Sequence, residues 1–246
     1  MNTKRSSAVL AAALAISAGG LDTRETRAAS ISASLTGTVK LEGPAPKLKT
    51  ISMAKEPTCA TMHKTPPMAE DVLVGPDGAL RNVVIFISEG LPDTVADAPA
   101  EPVVLDQHGC SYSPHVIALQ TNQKLRIVNG DKTSHNIHPM PSGNREWNKS
   151  QPPGVPPFEE SFAREEIGIP VKCNVHPWMR AYITVLRHPY FSVSNESGGF
   201  LIKNVPPGNY TITAWHEKLG TATQKITAAA GESKTLQFVL KARPGM

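Results

Sequence analysis

The sequence predicts an all-β fold built as two small β-sandwiches. Three observations lead there. Short runs rich in Val, Ile and Thr alternate apolar with polar residues, 22 prolines and 18 glycines break the chain between them, and no long segment keeps a helical period. At 246 residues the chain has room for one or two domains and a sizeable core.

In chain order, "TGTVKLEG" (36–43) is an alternating strand and "LRNVVIFISE" (80–89) an apolar one, with "VGPDGAL" (74–80) as the turn between. "HVIALQ" (115–120) and "KLRIVNGD" (124–131) follow, the second strand closing on Asn-Gly-Asp. "SGNREWNKSQPPGVPP" (142–157) is a long Pro-rich loop, and a loop of that size in a β domain is expected to cover something. The best helical candidate, around 163–167, is a turn or two. The last strands are "AYITVLR" (181–187), "FLIKNV" (200–205), "YTITAWHE" (210–217) and "KTLQFVLK" (234–241). In "VPPGNY" (205–210) two prolines fix φ and Gly208 permits a positive φ, which makes it a turn.

Residues 1–29 stand apart. Lys4 and Arg5 precede the apolar run "AVLAAALAIS" (8–17), and small residues follow. This pattern is that of a secretory signal peptide, with cleavage after Gly19 or Ala28, and the run is too short to span a bilayer. An uncleaved anchor is the alternative. The mature chain is therefore expected outside the cytoplasm, in the periplasm or at the cell surface of a bacterium, with no transmembrane span. The leader carries four bases against two acids, so its removal takes the net charge from +4 to about +2. With no basic stripe interleaved with aromatics, nucleic acid is not expected as a partner.

Three cysteines, Cys59, Cys110 and Cys173, are an odd number for an exported chain. An oxidising compartment pairs thiols, so two of them are open to a disulfide and one is left over. A spare thiol there needs burial or a metal. His63 in "CATMH" resembles half of a haem attachment signal, but the second cysteine is missing, which argues against covalent haem.

The chemistry concentrates in "SHNIH" (134–138), a short connecting segment after a strand, and in "KCNVHPWM" (172–179). Together they offer a thiolate, two imidazoles and a thioether: Cys173, His135, His176 and Met179. A trigonal Cys/His/His set with a weak axial Met is the ligand set of a blue-copper electron-transfer site, in which soft sulfur suits Cu(I) and imidazole suits both oxidation states. His138 reads as a neighbour of the site. His108 and His115 flank Cys110, and a second metal site from that cysteine with either histidine is the competing use of it.

Residues 102–186 resemble a cupredoxin throughout, with "YSPHVIALQTNQKLRIVNGDKTSHNIH", "FEESFA" and "VKCNVHPWMRAYITV" in that family's order and spacing. The short Cys-x2-His-x2-Met loop resembles the amicyanin subgroup. The resemblance implies a Greek-key β-sandwich holding one type-1 copper, cycling between Cu(I) and Cu(II). It implies Cys173 as the strong ligand, His135 and His176 as imidazole ligands, and Met179 as the axial one. Asn136 would brace the two ligand loops. His176 would lie nearest the surface as the electron route, rimmed by Pro139, Met140, Pro177 and Trp178. The chain departs from the family where Cys110 and a glycine replace an aromatic-rich strand, and where "GIPVKC" lacks a tyrosine before the cysteine. On this reading a Cys59–Cys110 disulfide accounts for the remaining thiols and leaves Cys173 for copper.

The stretch 191–241, with Gly199-Phe200 and then "VPPGNYTITAW", resembles the second half of a carboxypeptidase regulatory-like sandwich, a small prealbumin-like (transthyretin-like) fold. Its first half would be "TGTVKLEGPAP" (36–46) with "NVVIFISEG" (82–90), on the far side of the copper region. The expected organisation is therefore nested. Residues 31–100 and 188–246 would form a discontinuous sandwich with a cupredoxin, 101–187, inserted; a simple tandem is the alternative. Sandwiches of this kind are often carbohydrate-binding-like, so Trp215-His216-Glu217 is a candidate carbohydrate contact, with a solvated strand end as the plainer reading.

The expected function is one-electron transfer to or from a redox partner, a cytochrome or an oxidoreductase, without substrate turnover. Copper carriage or storage is the second expectation, with Cys110, His108, His115 or Met53, Met62 and Met68 adding donors. A cell-surface or carbohydrate-binding module with a vestigial copper site is the third.

Overall fold

The structure is a computed structural model and describes residues 31–94 and 96–242; the expected signal peptide lies outside the described residues. The first strand pairs with strands from the far end of the chain. β1 (Ala33–Glu42) lies antiparallel to a strand at Gly199–Val205 and parallel to one at Ser233–Lys241. After β1 come a one-turn helix, α1 (Pro57–Ala60), and β2 (Val84–Glu89). Nine strands follow: β3 (Val103–His108), β4 (Ser111–Ser113), β5 (Val116–Gln120), β6 (Leu125–Asn129), β7 (His135–Pro139), β8 (Lys149–Gln151), β9 (Phe158–Glu160), β10 (Glu166–Lys172) and β11 (Arg180–Leu186). Five more close the chain: β12 (Phe191–Val193), β13 (Gly199–Val205), β14 (Gly208–His216), β15 (Gly220–Ala228) and β16 (Ser233–Lys241).

These strands form four sheets, and the fold is all-β apart from the short helical turns. The order β13-β1-β16 faces β12-β2-β14-β15, making an outer sandwich from both ends of the chain. The order β5-β11-β10-β7-β8 faces β4-β3-β6-β9, making an inner sandwich from the middle. Neither flank could close alone, because β1 and β2 have no partner except strands that follow β11. The alternation read from the sequence is visible in burial. Leu236, Phe238 and Leu240 of β16 point inward while the residues between them stay exposed or half-exposed. They join Leu35, Val39, Ile85, Ile87 and Ile212 in the outer core. Leu105, Ile117, Leu125, Ile127, Ile137 and Ile183 fill the inner one.

A third apolar cluster joins the two sandwiches. Val84 and Phe86 of β2 meet Val116 and Leu186, with Tyr182 and Trp215 packed against them. Trp215 lies over Gly168, which takes a positive φ of +71°. The expected solvated end at 215–217 is therefore overturned: His216 is buried, as is the Glu217 side chain, and Trp215 packs edge-on to Tyr182 with ring centroids 6.0 Å apart.

Three local expectations also change. Residues 163–167 form no helix; β10 begins there instead, where Glu166 accepts hydrogen bonds from the backbone N–H groups of Ser142, Gly143 and Asn144. The Pro-rich loop at 142–157 includes the short strand β8, paired with β7. Part of 31–100 leaves the outer sandwich altogether, since Met53 and Cys59 are buried in the inner core, with Ile51 packed against it.

Candidate metal centre

β6 ends on Asn129, whose side-chain oxygen accepts from the Asp131 N–H (3.0 Å) and so turns the chain sharply. That turn sets Asp131 four residues before His135. His135 is the first residue of β7 rather than part of a connecting segment, so its backbone is held by the strand ladder with β8. The second limb is the loop 173–179 between β10 and β11. It is closed by Cys173 N–H to Met179 O (3.2 Å) and Met179 N–H to His176 O (2.9 Å). These bonds, and the Lys172–Arg180 pair at the strand ends, fix the loop without any metal.

At the centre, Cys173 Sγ and one ring nitrogen each of His135 and His176 lie within 4.8 Å of one another. The Nδ1 atoms of the two histidines face each other at 2.9 Å, and Cys173 Sγ lies 3.8 Å from His176 Nδ1. All three residues are buried, as is Met179 at 1% exposure. Asn136 bridges the limbs: its Oδ1 accepts from the Asn174 N–H at 2.6 Å and lies 3.3 Å from Cys173 Sγ. Tyr112 in turn donates to Asn136 O at 2.5 Å.

Asp131 is the site residue that sequence reasoning passed over. Its carboxylate accepts from the N–H groups of Gly109 (2.7 Å) and Cys110 (2.8 Å) and lies 2.8 Å from His135 Nε2. A ligand histidine whose outer nitrogen donates to a carboxylate is fixed in one tautomer, with its inner lone pair free. The available signal was the Asn-Gly-Asp turn four residues before a histidine.

The electrostatics favour a cation at the centre. Burial alone would raise the Asp131 carboxyl, yet the two backbone N–H groups and His135 hold it below its usual value. Burial would likewise raise the Cys173 thiol, but the His135 hydrogen bond and backbone N–H groups pull it down. Burial works against a charge on His135, and its bonds to Cys173 and Asp131 overcome that and raise it. Burial, with His135 beside it, lowers His176 and keeps it neutral. One soft thiolate, two imidazole lone pairs and a buried carboxylate behind them fit a copper ion in either oxidation state.

Other sequence candidates stand apart. Cys59 and Cys110 form a disulfide and Cys173 is free. With Cys110 so engaged, neither His108 nor His115 builds a metal site with it. His108 is exposed, 3.8 Å from Asp131, and His115 Nε2 meets Glu217 at 2.5 Å. His138 pairs with Glu146 (2.6 Å) and is not among the convergent donors. The expectation for His176 needs correction. It is not near the surface but fully buried, its Nε2 lying 3.5 Å from Cys59 Sγ. Of the expected rim only Pro177 is exposed; Pro139 is buried, and Met140 and Trp178 are half-buried.

Residues 176–241 match the carboxypeptidase regulatory-like domain. The matched stretch runs from the ligand loop to β16 and so includes all five final strands of the outer sandwich. No curated protein matches the chain. Among solved structures, a methionine-to-alanine variant of amicyanin in its Cu(I) state is 17% identical, with 41% of this chain and 97% of that one covered and a TM-score of 0.30. A purple cupredoxin from Nitrosopumilus maritimus is 21% identical over 34% of this chain and 98% of that one, with a TM-score of 0.29. A copper-containing nitrite reductase from Thermus scotoductus SA-01 is 17% identical over 41% of this chain, TM-score 0.34, and the match spans only 26% of the reductase.

Proposed function

We propose that this protein is an exported one-electron carrier with a single type-1 copper site. The observation that carries the reading is the convergence of Cys173 Sγ with His135 Nδ1 and His176 Nδ1 in a buried pocket. His135, Cys173 and His176 would hold the ion, with Met179 as the axial thioether. Bound copper would supply a Cu(I)/Cu(II) couple. The protein's own part is rigidity: the closed 173–179 loop, the Asn136 brace and the Asp131 anchor keep the donors in place in either redox state.

On this reading the chain turns over no substrate and exchanges electrons with a cytochrome or an oxidoreductase outside the cytoplasm. Among the described residues no helix is long and apolar enough to cross a membrane. Copper storage is less favoured, because the disulfide takes Cys59 and Cys110 out of the donor pool. A carbohydrate platform at Trp215 is less favoured too, since its ring packs against Tyr182 and Gly168.

The test is titration of the mature chain with Cu(II), followed by visible and EPR spectra, with Cys173→Ser as control. An intense thiolate charge-transfer band at one copper per chain, absent from the variant, is the expected result. Absence of copper binding would overturn the reading, and several tight Cu(I) ions per chain would replace it with storage.

A further inference from the structure

His176 is fully buried, and a segment that adds no strand to either sandwich packs against it. The chain from Lys49 to Ala69 forms a closed loop, with Ile51 N–H donating to Pro67 O and Ala69 N–H to Lys49 O, both at 2.8 Å. At its far end α1 carries Cys59 into the inner core, where the disulfide to Cys110 pins it. His63 Nε2, 2.8 Å from Gly109 O, fastens the same end a second time. Cys59 Sγ then lies 3.5 Å from His176 Nε2, the ring nitrogen that points away from the other donors. A docking protein cannot reach that edge while the segment is in place.

One aromatic ring on the ligand loop 173–179 lies beside His176 and is partly open to solvent. The Trp178 indole has its centroid 5.2 Å from the His176 ring, tilted by 43°. Its Nε1–H donates to Cys110 O at 3.0 Å, which fixes the ring plane. Trp178 is half-buried, and it lines a cavity of about 600 Å³ together with Met179, Arg180 and Met68. Ile51 and Met68 of the segment form one wall of this cavity and the ligand loop another, so the cavity opens onto the Trp178 ring while His176 behind it stays buried.

We propose that Trp178 is the electron port of this protein, replacing the direct route at His176 that the disulfide-pinned segment closes. The inference rests on the copper reading above. An outside one-electron carrier docks at the cavity mouth, and one electron passes between it and the centre across the indole and the His176 ring. The carrier is oxidised by one electron as the centre is reduced, or the reverse. No bond forms or breaks, no proton moves, and Trp178 stays closed-shell.

The experiment uses the copper-loaded mature chain and tris(phenanthroline)cobalt as the outer-sphere probe, followed by stopped flow. Trp178→Leu is expected to slow exchange several-fold with the charge-transfer band and potential unchanged, and Trp178→Phe to restore most of the rate. The double variant Cys59→Ala/Cys110→Ala is expected to exchange faster than wild type, and to lose its dependence on Trp178, because His176 is uncovered. A second readout needs no metal. In the metal-free protein, carbethoxylation mapped by mass spectrometry should spare His176 in wild type and modify it in the double variant. An unchanged rate in Trp178→Leu, loss of its band, or a reactive His176 in wild type would each overturn the proposal. A wild-type chain without any charge-transfer band instead fails the copper reading, and this inference with it.

Discussion

Trp215 lies across Gly168 so closely that a Cβ on the glycine would come within 2.2 Å of the indole Cζ2. The contact joins β14 of the outer sandwich to β10 of the inner one, at the seam where Tyr182, Phe86 and Leu186 also meet. A missing side chain thus sets how near the sandwiches approach. Gly168→Ala should destabilise the protein by about 1–3 kcal/mol through overpacking alone, with its positive φ adding to the cost. Urea unfolding measures this. In the Trp215→Ala background the same substitution should cost less, and equal costs in both backgrounds would remove the indole from the explanation.

Asp131 anchors His135 from behind while holding two N–H groups of the 109–110 turn. Asp131→Asn removes the charge and leaves an amide that cannot accept all three bonds. Copper affinity should fall about 10–100-fold, as losses of a carboxylate behind a ligand histidine do. Competition with a chelator of known copper affinity gives the number. Unchanged affinity would make Asp131 a turn former only.

The seam should also give stability a maximum near the ordinary imidazole value. His115 is raised: burial works against its charge, but the Glu217 carboxylate at 2.5 Å and Glu70 at 3.7 Å outweigh it. Its contribution is complete below the unfolded value of about 6.5 and is lost as pH rises through the higher folded value. His216 has the opposite sign. Burial pushes it down to about 4, and its Nδ1 accepts from the Lys218 N–H at 3.1 Å. It therefore stabilises fully above about 6.5 and loses that contribution as pH falls through the folded value near 4. His115→Gln should flatten the alkaline limb of the stability curve and His216→Gln the acid limb. If each variant kept the wild-type slope on its own limb, other groups would set the optimum.

The disulfide closes a separation of 51 residues and pins the far end of the 49–69 segment to the inner core. Its removal by Cys59→Ala/Cys110→Ala should cost about 2–4 kcal/mol, mainly by freeing the unfolded chain. Denaturation should also show a larger m-value as the unfolded state expands. A loss under 1 kcal/mol, by contrast, would mean that the backbone bonds of Ile51 and Ala69 and the His63 side-chain bond to Gly109 O hold the segment unaided.

The all-β fold was readable because alternation and turn chemistry are local. β1, β14 and β16 follow their patterns closely, and Tyr210 seals the predicted 205–210 turn through its hydroxyl bond to Pro206 O. What sequence could not disclose were relationships made only by tertiary packing. The segment 44–70 has no period to follow, so nothing local announces that it crosses to the inner sandwich and buries His176. Trp215, His216 and Glu217 end a strand and look solvated, but the second sandwich covers them. Short strands such as β8 and β12 depend on their neighbours more than on composition. The histidines, the cysteine and their spacing could be read in advance. Asp131 was marked only by the Asn-Gly-Asp turn before His135, and an aspartate in a turn looks the same whether or not it holds a ligand.

The parallel ladder of β1 and β16 runs from Ser34 opposite Ser233 to Glu42 opposite Lys241. Tension between the start of β1 and the end of β16 would therefore pull these strands in opposite directions along their lengths. All the ladder bonds would be loaded together in shear, rather than opened one at a time. The force path bypasses the 190 or so residues between the two strands, so the inner sandwich and its donors would bear no load until that clamp slipped.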